Sequence, residues 1–582
     1  MNMATDMPVP VSHEVDVVVV GSGAAGLTAA IVAAASGCRV LVVEKADLLG
    51  GTTAWSGGAG WLPCNHLMAR AGATDTREAA ETYIRSVLGE QYDAAAAAAF
   101  LDNAPQMLEF LEQNTTAVRF VPYLGPDYQQ DHPGAAAKAR SVLPQAFDAR
   151  LLGPLLKKLQ YPFREFLVFG GMQADVAEAL HLQRSYRSWA SFKVAAKLLT
   201  RYAVDLVRFG RSTRLIRGAA LVGRLVKSAT DLKVEFWTGT PARRLAHEGD
   251  RVTGLFVERE GRPTRIVARK GVILASGGFA ANAAMRAQFI PFADQHQSVL
   301  PDTNTGDGIT MAQQIGADLG PLLKHNAIWA PTSSFRRADG RLSKWPHFAF
   351  DRCKPGAIIV DAAGQRFCNE GESYHRIVGK MHERGIVPAY LVADHAFVRK
   401  YGFGLLRPFP YPIGAYVRGG YVKRADTLAG LAGQIGIDAS GLIETVGRMN
   451  AYAKTGVDPE FGKGADLYSR SLGDAEHKPN PCLGPIERGP FYALPLYPGD
   501  AGTALGLRAN ASAQVLDRAG DVIQGLYACG LDMTSPLRGH YPSAGTMIGP
   551  AMTFGYVAGR HVAGFANRQA APAASTTTTS SP

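Results

Sequence analysis

Cysteine is scarce in this chain and shows no pattern. Six cysteines are spread over 582 residues, and no pair of them has the spacing of a zinc site or a disulfide framework. They are Cys38, Cys64, Cys353, Cys368, Cys482 and Cys529. This excludes a disulfide-stapled secreted domain and a cysteine-bound metal centre, so we expect reduced thiols, no disulfide and no metal.

A targeting segment and a continuous membrane span are also missing. The first fifteen residues contain the acids Asp6 and Glu14 and no apolar core of the kind that a secretory signal needs. The apolar stretch 15–43 is interrupted by glycines, so it fits strand, helix and strand better than a transmembrane helix. We expect a cytoplasmic protein, with a disordered tail at 571–582.

Acidic residues are rare in one segment. Residues 150–227 hold 15 Lys plus Arg and 4 Asp plus Glu, a balance of +11 that equals the net charge of the whole chain. A predicted helix there puts Lys193, Lys197, Arg201 and Arg208 on one face and mainly apolar side chains on the other. Such a helix suits an anionic membrane surface, and a solvated face packed on the domain is the alternative. No nucleic-acid motif accompanies it, so we expect no nucleic-acid partner.

The sequence does contain a dinucleotide fingerprint. Gly21, Gly23 and Gly26 lie between a Val-rich strand and an Ala-rich helix, and Glu44 ends the next strand at 40–43. The glycines permit a tight turn, close approach of the backbone to a pyrophosphate and close packing of helix on strand, while a carboxylate at that strand end accepts a ribose hydroxyl. The chain is therefore predicted to bind a dinucleotide.

A second glycine-dense loop, at 50–58, indicates FAD rather than NAD, because it suits close backbone contact with a flat ring. With two further segments, 272–279 and 304–308, it completes a set of motifs that resembles the fumarate reductase and 3-ketosteroid dehydrogenase superfamily of flavoproteins. No histidine follows the 50–58 loop in the pattern of covalent attachment, so the resemblance implies non-covalent FAD. The cofactor contacts that it implies are Gly21, Gly23, Ala25, Gly26, Glu44, Lys45, Gly51, Thr52, Thr53, Ser56, Gly57, Gly58, Ser276, Gly277, Asp307, Gly530 and Ile548.

The C-terminal segment 537–556 resembles the part of 3-ketosteroid dehydrogenases in which a tyrosine and a glycine four residues later hold the substrate ketone. Here these residues are Tyr541 and Gly545. A phenolic O–H and a backbone N–H that converge on one oxygen form an oxyanion hole, which stabilises the enolate that forms as a neighbouring proton leaves.

The resemblance implies a base at Tyr374. This residue stands five positions after Asn369, where fumarate reductases have their catalytic arginine, and a tyrosinate suits proton removal beside a ketone. In the family a phenylalanine and a tyrosine from the N-terminal part line the same pocket and help the base. Phe120 and Tyr123 match them best, with Tyr128 as a rival to Tyr123.

Departures from the family pattern leave the regiochemistry open. Ser543, two residues after Tyr541, is predicted to contact the substrate where enzymes that form a C1–C2 double bond usually have glycine; the related enzymes that desaturate carbons 4 and 5 have serine there. The carboxylate-binding histidine and catalytic arginine of fumarate reductases have no counterpart. The exchange of that arginine for Tyr374 favours dehydrogenation of a neutral, apolar substrate.

The expected fold is α/β. It has a Rossmann-like FAD-binding domain from 1–290 and 486–570, an inserted α+β catalytic cap at 291–485, and a basic amphipathic insert at 150–227. The resemblance implies a 3-ketosteroid Δ1-dehydrogenase, with the cholest-4-en-3-one type as a candidate, that passes electrons to an acceptor which the sequence does not identify. The alternatives are a 4(5α)-dehydrogenase, an ene-reductase, and a membrane-associated flavin-binding protein without turnover. The possible anionic membrane partner would place the protein on the inner face of the membrane.

Overall fold

A computed structural model describes residues 11–565. The predicted tail at 571–582 lies outside the described residues. The strands are β1 (Val11–Val20), β2 (Val40–Val43), β3 (Gly60–Trp61), β4 (Phe120–Pro122), β5 (Ser141–Pro144), β6 (Phe147–Asp148), β7 (Arg214–Leu215), β8 (Glu235–Trp237), β9 (Ala242–Glu248), β10 (Arg251–Arg259), β11 (Arg262–Leu274), β12 (Ala327–Trp329), β13 (Thr332–Arg336), β14 (Leu342–Pro346), β15 (Ala357–Val360), β16 (Ala389–Asp394), β17 (Lys423–Ala425), β18 (Phe491–Leu496), β19 (Asp500–Thr503), β20 (Gln514–Leu516) and β21 (Val522–Ala528).

The α-helices are α1 (Ala24–Ala35), α2 (Gly51–Trp55), α3 (Arg77–Leu88), α4 (Ala94–Asn114), α5 (Val176–Arg184), α6 (Trp189–Phe209), α7 (Arg217–Asp231), α8 (Ala283–Phe289), α9 (Asp307–Gln314), α10 (Tyr374–Arg384), α11 (His395–Tyr401), α12 (Gly414–Arg418), α13 (Leu428–Ile435), α14 (Ala439–Thr455), α15 (Leu467–Leu472) and α16 (Ile548–Val562). Short 3₁₀ helices span His66–Ala71, Gly89–Gln91, Ala149–Lys158, Arg164–Phe166 and Gly530–Asp532.

The nucleotide-binding half is organised by an eight-stranded sheet. Its order is β20-β21-β10-β11-β1-β2-β8, and β9 pairs with β10. β1 and β2 run parallel, with Val17 opposite Val40 and Val20 opposite Val43. These valines are almost completely buried, because helices cover the parallel part of the sheet and α1 packs on α16 and α7. The Rossmann-like α/β fold predicted from the sequence is confirmed.

The cap contains a separate antiparallel sheet in the order β15-β16-β18-β17. Its strand β18 lies beyond residue 485, where the sequence placed the end of the cap, so the cap continues past that expected boundary. β18 belongs to this sheet because it pairs along its whole length, from Phe491 to Leu496, with β16.

The basic insert is shorter than predicted. Helix α6 projects a largely exposed surface, with only three of its residues buried. Helix α7, also inside the predicted 150–227 segment, is almost fully buried against α1 and α2 and belongs to the nucleotide-binding core. The exposed part of the insert therefore ends near Gly210, and three of the basic residues that follow, Arg217, Arg224 and Lys227, lie on the core helix α7.

Candidate active site

A cavity of about 370 Å³ is bounded by the glycine motifs on one side and by the cap on the other. All predicted cofactor residues except Gly26 line it, as do the four predicted catalytic residues Tyr123, Tyr374, Tyr541 and Gly545. Gly26 lies behind the wall, where a Cβ atom would come within 2.1 Å of the Gly21 carbonyl oxygen. This position agrees with the packing role that the fingerprint gives to the third glycine.

The glycine loops form a cradle that fits a dinucleotide. Gly21 has φ +106°, and a Cβ there would lie 2.2 Å from the Ala275 carbonyl oxygen, so only glycine is tolerated. Helix α1 begins without a side-chain cap from Gly23; the N–H of Ala24 donates to Thr53 Oγ1 at 2.9 Å, and the other N–H groups of the first turn point towards a site for a phosphate. Added Cβ atoms at Gly51 and Gly57 would meet nothing within 4 Å, so the second loop leaves open space. The cradle would therefore hold FAD.

Two charged residues mark the ribose end of this cradle. Glu44 accepts hydrogen bonds from the backbone N–H and hydroxyl of Ser22, at 3.0 and 2.6 Å, and from the N–H of Ala46 at 2.9 Å. Lys45 is paired with Asp307, with Nζ 2.6 Å from Oδ2. The Glu44 carboxylate is thus held rigidly at the cavity edge, where the fingerprint places a ribose acceptor.

At the other end four tyrosines pack around one point. The ring centroids of Tyr374 and Tyr541 are 5.3 Å apart, and Tyr128 lies 6.0 Å from Tyr374 and 5.7 Å from Tyr541. Tyr468 stacks on Tyr128 at 4.3 Å. Phe348 closes the cluster, 4.8 Å from Tyr374. The rings come from chain segments that are far apart in sequence, and together they make an apolar pocket with several phenolic hydroxyls.

The environment of these phenols favours their neutral forms. Burial raises the pKa of Tyr374 well above its ordinary value, and the neighbouring Tyr541 and Tyr128 add to the increase. Burial also raises the pKa of Tyr541, an increase partly offset by hydrogen bonds from Tyr374 and from the backbone N–H of Gly545. The hydroxyl of Tyr541 and the N–H of Gly545 are therefore neighbours, as an oxyanion hole requires.

The position of Gly545 is fixed by backbone contacts. Its carbonyl oxygen accepts hydrogen bonds from the N–H groups of Trp61 at 3.0 Å and Gly549 at 2.8 Å. Its φ of +88° belongs to the left-handed region, which favours glycine. These contacts hold the Gly545 N–H beside Tyr541 before any ligand arrives.

The geometry favours Tyr128 over Tyr123 as the neighbour of Tyr374. Both tyrosines line the cavity, yet among the described ring contacts it is Tyr128 that packs on Tyr374 and Tyr541. The loop that carries Tyr128 is fixed by its backbone N–H, which donates to the Pro542 carbonyl oxygen at 2.7 Å. This contact joins the loop to the Tyr541 segment.

Two predicted substrate contacts do not reach the cavity. Phe120 is 2% exposed and packs in the main core, because side chains alternate along β4 and Val121 is the one that faces outward. Ser543 is also 2% exposed, with its Oγ 3.4 Å from the Oγ of Ser141. Ser543 also lies close enough to the buried Asp127 to oppose the effect of burial, which raises the pKa of that carboxyl. Phe120 and Ser543 therefore lie outside the lining of this cavity, and their contact with substrate stays a prediction.

Several lining residues carried no signal in the sequence. Tyr468, Phe348 and Leu472 come from the cap, and Phe163 and Phe166 come from the insert. No local motif marks them, since each reaches the cavity through packing between distant segments. Of the described residues that line the cavity, the charged ones are Glu44, Lys45 and Asp307, all at the nucleotide end.

Comparisons with known proteins identify the class. The family described as "FAD binding domain" matches residues 16–548. The chain is 40% identical to 4-oxocyclohex-2-ene-1-carboxylate 5-dehydrogenase of Sinomonas cyclohexanicum, over 95% of this chain and 94% of that one. It is 38% identical to 3-oxosteroid 1-dehydrogenase of Mycobacterium tuberculosis, over 96% of this chain and 100% of that one.

A solved structure is also similar. The 3-ketosteroid Δ1-dehydrogenase of Sterolibacterium denitrificans, in complex with 1,4-androstadiene-3,17-dione, superposes with a TM-score of 0.87 at 38% identity, over 95% of this chain and 100% of that one. The chain belongs to this family of FAD-dependent flavoproteins, which includes the 3-oxosteroid 1-dehydrogenases. Its cofactor is FAD.

Proposed function

We propose that this chain is an FAD-dependent 3-ketosteroid dehydrogenase that introduces a C1–C2 double bond into ring A. The observation that carries the proposal is the single cavity that joins the dinucleotide cradle to the cluster of Tyr128, Tyr374, Tyr468 and Tyr541. The similarity to 3-oxosteroid 1-dehydrogenases over almost the whole chain supports the same reaction.

The distribution of charge in the cavity favours a steroid over 4-oxocyclohex-2-ene-1-carboxylate, the compound for which the relative from Sinomonas cyclohexanicum is named. A buried carboxylate needs a cationic or hydrogen-bonding partner. The lysine in the described lining, Lys45, lies at the nucleotide end and is paired with Asp307. The tyrosine end offers phenolic hydroxyls and apolar groups, and among its described lining residues there is no cation, which suits a neutral polycyclic ketone better than a carboxylate.

The residues have distinct roles in the proposed reaction. The hydroxyl of Tyr541 and the backbone N–H of Gly545 donate to the C3 carbonyl oxygen and stabilise the enolate as it forms. The oxygen of Tyr374 accepts the proton from C2. The glycine cradle would hold FAD, which would supply the acceptor for the hydride from C1. Since burial raises the pKa of Tyr374, little of it is phenolate at neutral pH, and the reaction should accelerate as the pH rises.

Tyr128 is proposed as the residue that assists Tyr374. Its ring contacts both Tyr374 and Tyr541, and a hydrogen bond with Tyr374 partly offsets the burial that raises the pKa of Tyr128. The position of Ser543 also bears on regiochemistry. Because this side chain faces Ser141 rather than the cavity, the presence of serine there does not favour desaturation at carbons 4 and 5.

Anaerobic mixing tests the proposal. The purified holoenzyme is mixed with androst-4-ene-3,17-dione or with 4-oxocyclohex-2-ene-1-carboxylate, and flavin absorbance is followed. We expect the steroid to bleach the flavin and the carboxylate to leave it yellow. Bleaching by the carboxylate alone would assign the chain to the other substrate class. Persistent yellow flavin with both would favour a binding protein without turnover.

We further propose that the insert adsorbs to an anionic membrane surface. Phe192, Leu199 and Leu206 recur every seven residues on α6 and are 47%, 38% and 42% exposed. The four basic residues predicted to share a face, Lys193, Lys197, Arg201 and Arg208, are all exposed. Exposed apolar groups beside basic ones fit lipid headgroups and acyl chains together. No helix of residues 11–565 has the length and hydropathy to cross a bilayer.

Charge reversal tests the adsorption. Changing Lys193, Lys197, Arg201 and Arg208 to Glu should abolish co-sedimentation with phosphatidylserine vesicles at low salt, because each basic residue near such a surface contributes about 1 kcal/mol. The parent should release from the vesicles as salt increases. A parent protein that stays in solution with anionic vesicles at low salt would rule out the membrane role.

A further inference from the structure

The insert does more than project outward, because its segment 163–167 closes one wall of the cavity. Phe163 and Phe166 line the cavity, and Phe163 is only 9% exposed. Phe163 packs on Trp55 of the nucleotide-binding half, with ring centroids 5.4 Å apart. Phe166 packs on Trp345 of the cap at 5.3 Å, and the two phenylalanines are 5.1 Å apart. A continuous row of rings thus crosses from one domain to the other.

Polar contacts fasten this wall to the cap. The Glu165 carboxylate, 7% exposed, accepts from Arg341 with Nη1 3.1 Å from Oε1. The Arg407 guanidinium donates to the carbonyl oxygens of Glu165 and Leu167 and lies over the Trp345 ring. The position of the wall therefore depends on the cap residues as well as on the insert.

Among the ring contacts of residues 11–565, those of Phe163 and Phe166 are with each other and with Trp55, Trp345 and Phe350, and do not include the tyrosine cluster. In the cap, Trp345 is the last residue but one of β14, and the chain continues through Pro346 to Phe348, whose ring contacts Tyr374. Trp345 contacts the wall and Phe348 contacts the tyrosine cluster, so segment 345–348 runs along the cavity from one to the other. A substrate whose ketone is held by Tyr541 would reach Phe166 only with rings far from its ketone.

We propose that Phe163 and Phe166 are specificity-determining residues that bind the hydrocarbon rings of the substrate remote from the ketone, and that Arg341 positions them through Glu165. The inference rests on the proposed steroid dehydrogenase function. It adds the residues that distinguish substrates by their number of fused rings. The two wall residues that line the cavity, Phe163 and Phe166, offer it aromatic faces, so they stabilise hydrocarbon and do nothing for a single-ring ketone.

Truncated ligands test this division of the cavity. The dissociation constants of androsta-1,4-diene-3,17-dione and of a bicyclic enone with rings A and B only are measured from the change that each causes in flavin absorbance. Phe166→Ala should weaken binding of the dienone about tenfold, the usual scale for losing a large buried apolar contact, and leave the bicyclic enone unchanged. Glu165→Gln should also weaken binding of the dienone, by a smaller factor, and leave binding of the bicyclic enone unchanged. Phe169→Ala is the control, since Phe169 lies two residues beyond the segment, is 52% exposed and is not among the lining residues.

Steady-state kinetics give a second readout. With androst-4-ene-3,17-dione, Phe166→Ala should raise KM and leave kcat close to the parental value, because it does not touch the reacting carbons. Equal losses for both ligands, no loss for either, or a fall in kcat alone would overturn the inference. If the parent flavin is not bleached by the steroid, the proposed function fails; if it is bleached and the wall variants bind both ligands as the parent does, only the wall inference fails.

Discussion

Replacing Gly545 with alanine tests the proposed oxyanion hole through its backbone. A Cβ atom at this position would lie 2.5 Å from the Ala59 carbonyl oxygen and 2.7 Å from the Gly60 nitrogen. Both neighbours are backbone atoms, so the loop must shift to admit even one methyl group. The shift would move the Gly545 N–H away from the Tyr541 hydroxyl and weaken the grip on the ketone.

The size of the effect follows from two contributions. A left-handed conformation costs an L-residue roughly 1–2 kcal/mol, and overpacking against fixed atoms adds about 1–3 kcal/mol. This strain of a few kcal/mol is relieved by moving the loop. Loss of one oxyanion donor lowers turnover by about 10²–10³-fold. We therefore expect Gly545→Ala to slow flavin reduction by at least about 100-fold, and Gly545→Val to be more damaging because its branched side chain also restricts the backbone.

The assay is the single-turnover rate of flavin reduction under anaerobic, saturating steroid, with FAD content measured in the same samples. Gly564→Ala is a matched control, because Gly564 also has a positive φ of +99° and an added Cβ meets nothing within 4 Å. It should lose some stability and keep its rate. A Gly545→Ala enzyme that retains FAD and is reduced at the parental rate would refute the role of this N–H.

Three other changes have expected outcomes. Glu44→Gln removes the charge of the carboxylate that Ser22 and Ala46 hold at the ribose end, and should weaken FAD binding about tenfold, measured by flavin release on ultrafiltration; unchanged affinity would move the ribose contact elsewhere. Lowering the pH from 7 to 5 should destabilise the fold, seen as a lower denaturant midpoint. Burial lowers the pKa of three histidines below the unfolded value of 6.5, so the unfolded chain binds protons that the folded chain does not, and stability present above pH 6.5 is lost as the pH falls. Their pKa values are about 3 for His325, 3 for His382 and 4 for His540. At pH 5 each histidine accounts for a loss of up to about 2 kcal/mol in the free energy of unfolding. A denaturant midpoint that does not change between pH 7 and pH 5 would contradict this prediction. Tyr374→Phe should bind FAD normally and reduce it about 100-fold more slowly, without the rise in rate with pH that the raised pKa predicts for the parent; a parental rate would transfer the base role to another tyrosine.

The cofactor half of the site could be predicted because its signals are local. Short stretches of sequence are enough to recognise a glycine that needs positive φ, such as Gly21, or a carboxylate at a strand end, such as Glu44. The strand, helix and strand around them follow from apolar runs of the right length. Sixteen of the seventeen predicted cofactor residues accordingly meet at one cavity.

The substrate half depends on packing between distant segments, which local patterns do not reveal. Phe120 matched the family spacing, yet the alternation of β4 turns it into the core. Tyr128 reaches Tyr374 because its loop bonds to Pro542, more than 400 residues away in sequence. Phe166 belongs to an insert whose basic charge predicted only a surface exposed to solvent or to a membrane. The contact of Phe166 with Trp345 depends on the folded chain.

The position of the new double bond tests the central claim most directly. In an anaerobic single turnover with 5α-androstane-3,17-dione, desaturation is open both at C1–C2 and at C4–C5, and proton NMR of ring A distinguishes the products. The roles proposed for Tyr541, Gly545 and Tyr374 predict bleached flavin and a C1–C2 alkene in equal amounts. A product with only a C4–C5 double bond, or flavin that stays yellow, would contradict the proposed function.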